Sequence, residues 1–315
     1  MGFVGSLYRQ VFIRPGPLPE DLDLSGQTIL VTGATSGIGL EVAEQCVRLQ
    51  AGHVILAVRN TRKGEEVKQK ILRSNSTSTK TLVDVWELDL ESPESVLAFG
   101  RQAQRALDLL DIALLNAAVF LFSWTAAQST GLESSIQVNQ VLNGMLSLLL
   151  LPVLKKSPVQ LVHMWTTFRE PAKGTVLQDL SKQESYDPWN QYFRSKLLNV
   201  FWARELAEHT SSQDVIINMV NPGSVNTSLH RDGSKLVQAY DRIVGRTVEE
   251  AARMLISAAV VHGVETHGEY LSEDRVTKSS AYVRSDKGAL MQTRIWDETL
   301  QVLRQLMPSA ELDNR

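Results

Sequence analysis

The junction Thr28-Ile29-Leu30-Val31-Thr32-Gly33-Ala34-Thr35-Ser36-Gly37-Ile38-Gly39 constrains this chain more than any other stretch. A short apolar run of this kind reads as a strand buried on both faces. Beyond Gly37, the residues Ile38, Val42, Cys46 and Leu49 recur near one side of a helical period. Between the two elements stand Gly33, Gly37 and Gly39 in the spacing Gly-x-x-x-Gly-x-Gly. Glycine takes backbone angles that cost other residues energy, and it lets a ligand come close to the main chain. The N–H groups that open such a helix have no helical acceptor, so they suit an anion. Gly33, Ser36, Gly37, Ile38 and Gly39 are therefore candidate contacts for a dinucleotide pyrophosphate.

The rest of the chain repeats the alternation. Strands are expected at His53–Val58, Leu82–Leu88, Asp111–Leu115, within Val159–Trp165, and at Val215–Val220. Helices are expected from about Arg62, over Ser92–Leu109, over Gly131–Leu154 and over Pro188–Glu208. Asp187 suits the N-cap of the last of these and Pro188 its first turn. The tail adds helices, a short strand at Glu269-Tyr270-Leu271 and a final helix from about Met291 to Leu306. Strand alternating with helix calls for a parallel sheet covered on both faces. The chain has no linker-like tract or internal repeat. It reads as an N-terminal extension of residues 1–26 followed by one α/β domain, residues 27–315.

Composition narrows the class. The chain has 315 residues, 43% of them hydrophobic, enough for a sizeable core. A formal net charge of −3 offers no basic face for nucleic acid. Cys46 is the single cysteine, so no internal disulfide forms, and a reducing, cytoplasmic setting is expected. No histidine, cysteine and carboxylate grouping suggests a metal. The apolar run Met145–Leu154 falls short of the roughly 20 residues of a membrane-spanning helix, so no transmembrane segment is expected. Phe3, Val4, Leu7, Tyr8, Val11 and Phe12 are expected to pack against the protein's own body, with peripheral membrane contact as the alternative. Ser228–Gly245 is expected to cover the substrate, with Leu229, Leu236, Val237, Tyr240 and Ile243 on its apolar side.

Two further groups carry chemistry. Arg59-Asn60-Thr61-Arg62-Lys63 follows the second strand, where a carboxylate would grip a ribose 2′-hydroxyl and repel a 2′-phosphate. A guanidinium there makes a forked contact with phosphate, so Arg59, with Asn60 beside it, points to NADP(H). Tyr192 and Lys196 are one helical turn apart and share a face. A free phenol has a pKa of about 10. A nearby ammonium is expected to lower it and make Tyr192 a proton-transfer group.

With these residues placed, the chain resembles the short-chain dehydrogenase/reductase family over roughly Gln27 to Leu271. Asp89-Leu90 follows the third strand as in that family. Leu115-Asn116-Ala117-Ala118 resembles its Leu-Asn-Ala-Gly, with Ala118 replacing the last glycine. Asn221-Pro222-Gly223-Ser224-Val225-Asn226-Thr227 resembles its Pro-Gly-x-Val-x-Thr segment. The stretch Gly131–Asn139 and the ending from Gly268 to Trp296 are similar to those of retinol-dehydrogenase-like reductases of fungal secondary metabolism. The resemblance implies a Rossmann-type doubly wound sheet. It implies that Asp89 meets adenine, that Asn116 lies at the cofactor, and that Val225 and Thr227 sit in the segment holding the nicotinamide amide. It further implies that Tyr192 moves the proton, that Lys196 also holds the nicotinamide ribose, and that Asn139 organises a relay water. Related proteins pair through the helices carrying Asn139 and Tyr192, which leaves a homodimer or homotetramer open.

One family member is missing. A serine normally follows the fifth strand and hydrogen-bonds the substrate oxygen. Here the segment reads Val159-Gln160-Leu161-Val162-His163-Met164-Trp165-Thr166-Thr167, without serine. Counting from Asn139 puts Thr166 in that place; the alternatives are that the serine has no functional equivalent, or that Gln160, in a second register, or Thr167 takes its part. Trp165, Phe168 and Trp189 read either as an apolar pocket wall or as core. The expected activity is NADP-dependent interconversion of a carbonyl and an alcohol on a lipophilic small molecule, in secondary-metabolite biosynthesis. The alternatives are a non-redox cyclisation, isomerisation or dehydration on the same fold, and a catalytically silent NADP-binding partner.

Overall fold

The computed structural model describes residues 9, 10, 12–75, 80–154, 175–227, 229 and 244–308, and the backbone of 159–164. The strands are β1 (Thr28–Thr32), β2 (His53–Val58), β3 (Leu82–Glu87), β4 (Ile112–Leu114), β5 (Val159–Met164), β6 (Val215–Asn221), β7 (Tyr270–Ser272) and β8 (Arg275–Val276). They form one sheet in the order β3-β2-β1-β4-β5-β6-β7-β8. Every pairing from β3 to β7 is parallel, and β8 adds an antiparallel edge. β1 lies between β2 and β4, so the strand order reverses there and opens a crevice at the carboxyl ends of the strands.

The helices are α1 (Gly37–Arg48), α2 (Thr61–Ser74), α3 (Pro93–Ala106), α4 (Ser134–Leu154), α5 (Val176–Leu180), α6 (Pro188–Glu208), α7 (Val248–Val260) and α8 (Asp286–Leu306). The strand period of two divides the core into two layers. Leu30, Ile55 and Ala113 face Val96, Phe99, Leu149, Phe201 and Ile295, from α3, α4, α6 and α8. Ile29, Val31, Val54 and Leu56 face Val42, Cys46, Ile71 and Leu255, from α1, α2 and α7. Burial of each Leu, Ile, Val or Phe side chain among these contributes about 1.5–3 kcal/mol.

Most helix starts are set by short polar side chains. Asn60 accepts from the Lys63 N–H at 2.9 Å, and Asp187 accepts from the Asn190 N–H at 2.8 Å as its position before Pro188 suggests. Thr247 and Glu250 form a reciprocal capping box on α7. Ser285 caps α8, which is why that helix starts ahead of the expected Met291.

Three departures from expectation have local causes. α4 begins at Ser134 rather than Gly131, because the Glu133 carboxylate caps it and Gly131 takes a φ of 71° in the preceding turn. Its residues Gln137–Leu142 form a π-turn, and the Asn143 amide donates to the carbonyls of Val138 and Asn139 at 2.9 and 3.2 Å. The strand β8 follows a two-residue turn at Glu273 and Asp274, both with positive φ, a hairpin geometry more often signalled by Asn-Gly.

α4 also corrects the estimate of apolar length. It is long and apolar enough to cross a membrane, since the run extends upstream of Met145 through the π-turn. It is nevertheless a core helix here, 94% buried. The expectations for Phe3, Val4, Leu7, Tyr8, Val11, Leu236, Val237, Tyr240 and Ile243 lie outside the described residues. Phe12 is described and is 69% exposed, so its ring is not buried in the protein's body as expected.

Candidate active site

The glycine turn sits at the carboxyl end of β1, against the carboxyl end of β4. Gly33 and Gly37 take φ of 70° and 57°, which side chains rarely adopt. A Cβ on Gly39 would lie 2.6 Å from both the Gly33 oxygen and Asn116 Nδ2, so this glycine is required by packing within the turn. Ser36 precedes α1 in extended conformation and its side chain does not cap the helix. The first-turn N–H groups of Gly37, Ile38 and Gly39 therefore have no helical acceptor and no cap from Ser36. An open helix start behind a glycine cradle fits a dinucleotide pyrophosphate.

Asn116 is placed beside this turn, where it holds the protein together. Its amide donates to the Thr32 oxygen at 3.0 Å, and the Ala117 N–H donates to Thr32 Oγ1 at 3.0 Å. The same loop then leads to the second cluster. Asn139 is fully buried; its side-chain oxygen accepts from the Val119 N–H at 2.8 Å, and its nitrogen donates to the Val119 oxygen and to Ser195 Oγ, both at 2.9 Å. Ser195 Oγ in turn donates to the Tyr192 carbonyl at 2.7 Å. A continuous run of contacts thus links the glycine turn, the loop after β4, the π-turn of α4 and the helix bearing Tyr192. Both amide donors of Asn139 are engaged in this link.

Tyr192 and Lys196 share a face of α6 as their spacing requires, and both are buried. Lys196 Nζ lies 5.7 Å from the centroid of the Tyr192 ring. Burial raises the phenol pKa above its ordinary value and lowers the ammonium to about 8. This corrects the expectation that Lys196 lowers the phenol: desolvation governs both groups. Phe120 packs on Tyr192 with ring centroids 5.3 Å apart, and Trp189 packs on Phe120 at 4.8 Å.

The remaining candidates occupy the same rim. Arg59 follows β2, is largely exposed, and forms an ion pair with Glu91 at 3.2 Å. The Asn60 side-chain oxygen is used as the α2 cap. Asp89 follows β3 and accepts from the Glu91 N–H at 2.9 Å. Thr227 lies against the glycine turn, 3.5 Å from where a Cβ on Gly37 would stand. Val225 forms a bridge with Arg246 and packs on the core. Thr166, Thr167, Trp165 and Phe168 lie outside the described residues, and Gln160 and His163 are described only as backbone within β5. Among the described residues no group of three or more His, Cys, Asp or Glu could hold a metal.

Sequence reasoning missed two supports. Glu133 is fully buried, accepts from the Ile136 N–H and Ser135 Oγ, and binds the Gln191 amide at 2.8 Å, next to Tyr192. Arg246 is buried against Glu273 and donates to the Pro222 oxygen at 2.9 Å. Glu133 carried little sequence signal, since glutamate is not a typical N-cap residue. Arg246 carried none, because its partners are remote in the chain.

The family model for short chain dehydrogenase matches residues 27–236. The chain is 39% identical over 290 residues to a short chain dehydrogenase of Alternaria solani, covering 88% of this chain and 99% of that one. It is 34% identical to a short-chain dehydrogenase of Aspergillus ruber, covering 96% and 92% of the two chains. Among solved structures, a short chain dehydrogenase from Salmonella enterica serovar Typhi aligns with a TM-score of 0.61 at 24% identity, over 82% of this chain and 100% of that chain. A short chain dehydrogenase from Shigella flexneri, solved in complex with NADP, gives 0.58 at 23% identity, over 82% and 100%.

Proposed function

This chain belongs to the short-chain dehydrogenase family, and from that premise we propose that it is an NADP-dependent oxidoreductase acting on a carbonyl or alcohol of a lipophilic small molecule. Residues 27–315 form the catalytic unit of this reading. The observation that carries it is the buried Tyr192/Lys196 pair, tied through Ser195 and Asn139 to the loop that flanks the glycine turn. A nicotinamide cofactor supplies the hydride when bound.

The rest of the chemistry belongs to the chain's own residues. Ser36, Gly37, Ile38 and Gly39 offer main-chain N–H groups at the α1 N-terminus to the pyrophosphate, and Gly33, whose own N–H is held by the Ala57 oxygen at 3.0 Å, lets it approach the main chain. Arg59 receives the 2′-phosphate, exchanging its Glu91 partner for a doubly charged one. Asn60 borders that position, Asp89 borders adenine, and Asn116 keeps the ends of β1 and β4 at the spacing the cofactor requires. Val225 and Thr227 lie in the segment that borders the nicotinamide. Tyr192, whose phenol keeps its proton at neutral pH, donates it to the carbonyl oxygen as reduction proceeds. The Lys196 ammonium offsets the negative charge this leaves on the phenolate, and Lys196 holds the nicotinamide ribose. Asn139 organises the relay water and, through Ser195, steadies the turn of α6 that carries Tyr192. Thr166 is the proposed partner of the substrate oxygen. The aromatic residues around Tyr192 suit an apolar substrate. The fungal resemblance of Gly131–Asn139 and of the tail supports a place in secondary-metabolite assembly, in the cytoplasm.

The test is NADPH-dependent reduction of a panel of lipophilic ketones and aldehydes. Tyr192→Phe is expected to abolish turnover, by a thousandfold or so if proton donation is its main role, while NADPH binding stays nearly intact. Undiminished turnover defeats the assignment. Arg59→Asp is expected to turn preference toward NADH, and an unchanged ratio removes Arg59 from the phosphate site.

The absence of serine in Val159–Thr167 favours one second reading, a non-redox rearrangement or dehydration in the same pocket. Product formation with no NADPH consumed distinguishes it. Binding of cofactor with no reaction across the panel marks a silent binding partner instead.

A further inference from the structure

The family model matches residues 27–236, so Gln10 and Arg246 lie outside it. Yet both converge on Asn221–Thr227. The Gln10 side chain accepts from the Ser224 N–H at 3.1 Å and donates to the Ser224 oxygen at 2.8 Å. It also donates to the Val244 oxygen at 3.1 Å. One amide therefore reads both main-chain groups of Ser224, as a neighbouring strand would, and ties Ser224 to Val244. The Ser224 oxygen accepts again from the Arg246 N–H at 2.9 Å, and the Asn226 N–H donates to the Arg246 oxygen at 3.0 Å.

The surroundings are built to admit that amide. Gly223 has a φ of 77°, and a Cβ there would run into Gln10 Oε1 and lie 2.9 Å from Arg246 Nη1. The N-terminal segment is held at points on either side: Arg9 pairs with Glu273, and Arg14 pairs with Glu250 at 2.6 Å. Arg246 Nη2 donates to the Ile13 oxygen at 3.0 Å. Three residues beyond Ser224, Thr227 stands beside the glycine turn, 3.5 Å from where a Cβ on Gly37 would lie.

We propose that Gln10 is a positioning residue: the N-terminal segment sets the main chain of Ser224, and through it the segment that borders the nicotinamide half of the cofactor. The inference rests on the cofactor reading above. Its test separates the two halves of the ligand. NADPH spans both, whereas adenosine 2′,5′-bisphosphate lacks the nicotinamide half. Gln10→Met keeps length and bulk but loses all three hydrogen bonds. Gln10→Glu keeps the acceptor for the Ser224 N–H and loses both donors. Both variants are expected to bind NADPH about five- to tenfold more weakly, the effect of one or two lost net hydrogen bonds, with adenosine 2′,5′-bisphosphate affinity within about twofold of the parent.

An equal loss for both ligands marks a merely structural role and overturns the proposal, as does no loss for either. A parent protein that binds neither NADPH nor the fragment refutes the cofactor reading first, and this inference falls with it. If neither variant folds, hydrogen exchange in the parent decides. Slow exchange of the Ser224 amide supports the contact, and exchange as fast as an open loop overturns it.

Discussion

Lys196 has a consequence that can be measured without substrate. Its ammonium is buried, and its pKa falls to about 8. Between about pH 8 and the ordinary lysine value of about 10.4, the unfolded chain therefore holds more protons than the folded one. Stability from this group rises with pH through that window, and below it the buried charge carries its full penalty. Burial pushes Cys46 up to about 12 and raises Tyr192, so those two oppose the rise at higher pH. Comparison with Lys196→Met isolates the lysine. In the cofactor-free protein the variant is expected to be more stable at pH 7 by on the order of 3 kcal/mol, with the gap closing as pH rises from 8 toward 10. Denaturant unfolding across that range checks it; a gap independent of pH contradicts it. The penalty also marks what a bound ligand contributes at this position, since any hydroxyl or anion reaching Lys196 offsets its desolvation.

The glycine turn shows how an element is specified by more than its dihedral angles. Gly37 is required by a positive φ, whereas Gly39 is required because a Cβ would strike the Gly33 carbonyl. A backbone carbonyl cannot yield as a flexible side chain does. Gly39→Ala is therefore expected to destabilise the fold by about 1–3 kcal/mol and to weaken NADPH binding with it. Thermal unfolding and fluorescence titration on the same sample check both effects, and an unshifted midpoint removes the packing argument. The π-turn in α4 is the opposite case. The apolar pattern of Gly131–Leu154 signals a helix, and a helix forms, but the pattern does not signal its π-turn at Gln137–Leu142, where the Asn143 amide donates to the carbonyls of Val138 and Asn139. Asn139 is aimed from that turn. A helical period read from residue types has no means of showing it.

Across the molecule, the placement of α8 matters most for association. Trp296 of α8 stacks on Trp202 of α6 at 4.4 Å, and Thr299 accepts from the Gln140 amide at 2.9 Å. Gln292 bonds Glu205 and Glu208, and Glu298 accepts from the N–H groups at the start of α5. From Gln137 to Leu154 every residue but Pro152 is buried within the one chain. The helices through which related proteins pair are thus already covered by the chain's own tail. Light scattering is expected to give the mass of a single chain at micromolar concentration. A stable dimer contradicts the covering argument, or means that a different face pairs.

The alternation of strands and helices, the two-layer core, the caps at Asp187 and Pro188, and the shared face of Tyr192 and Lys196 could all be read in order along the chain. Each follows from residues within a few positions of one another, where periodicity and turn chemistry act. What that order could not contain is the set of contacts made by folding. Gln10 meets Ser224 across 214 positions, Gln140 meets Thr299 across 159, and Asn139 meets Ser195 across 56. The direction in which burial moves Tyr192 belongs with these, because desolvation depends on everything packed around a group, and no local pattern records it.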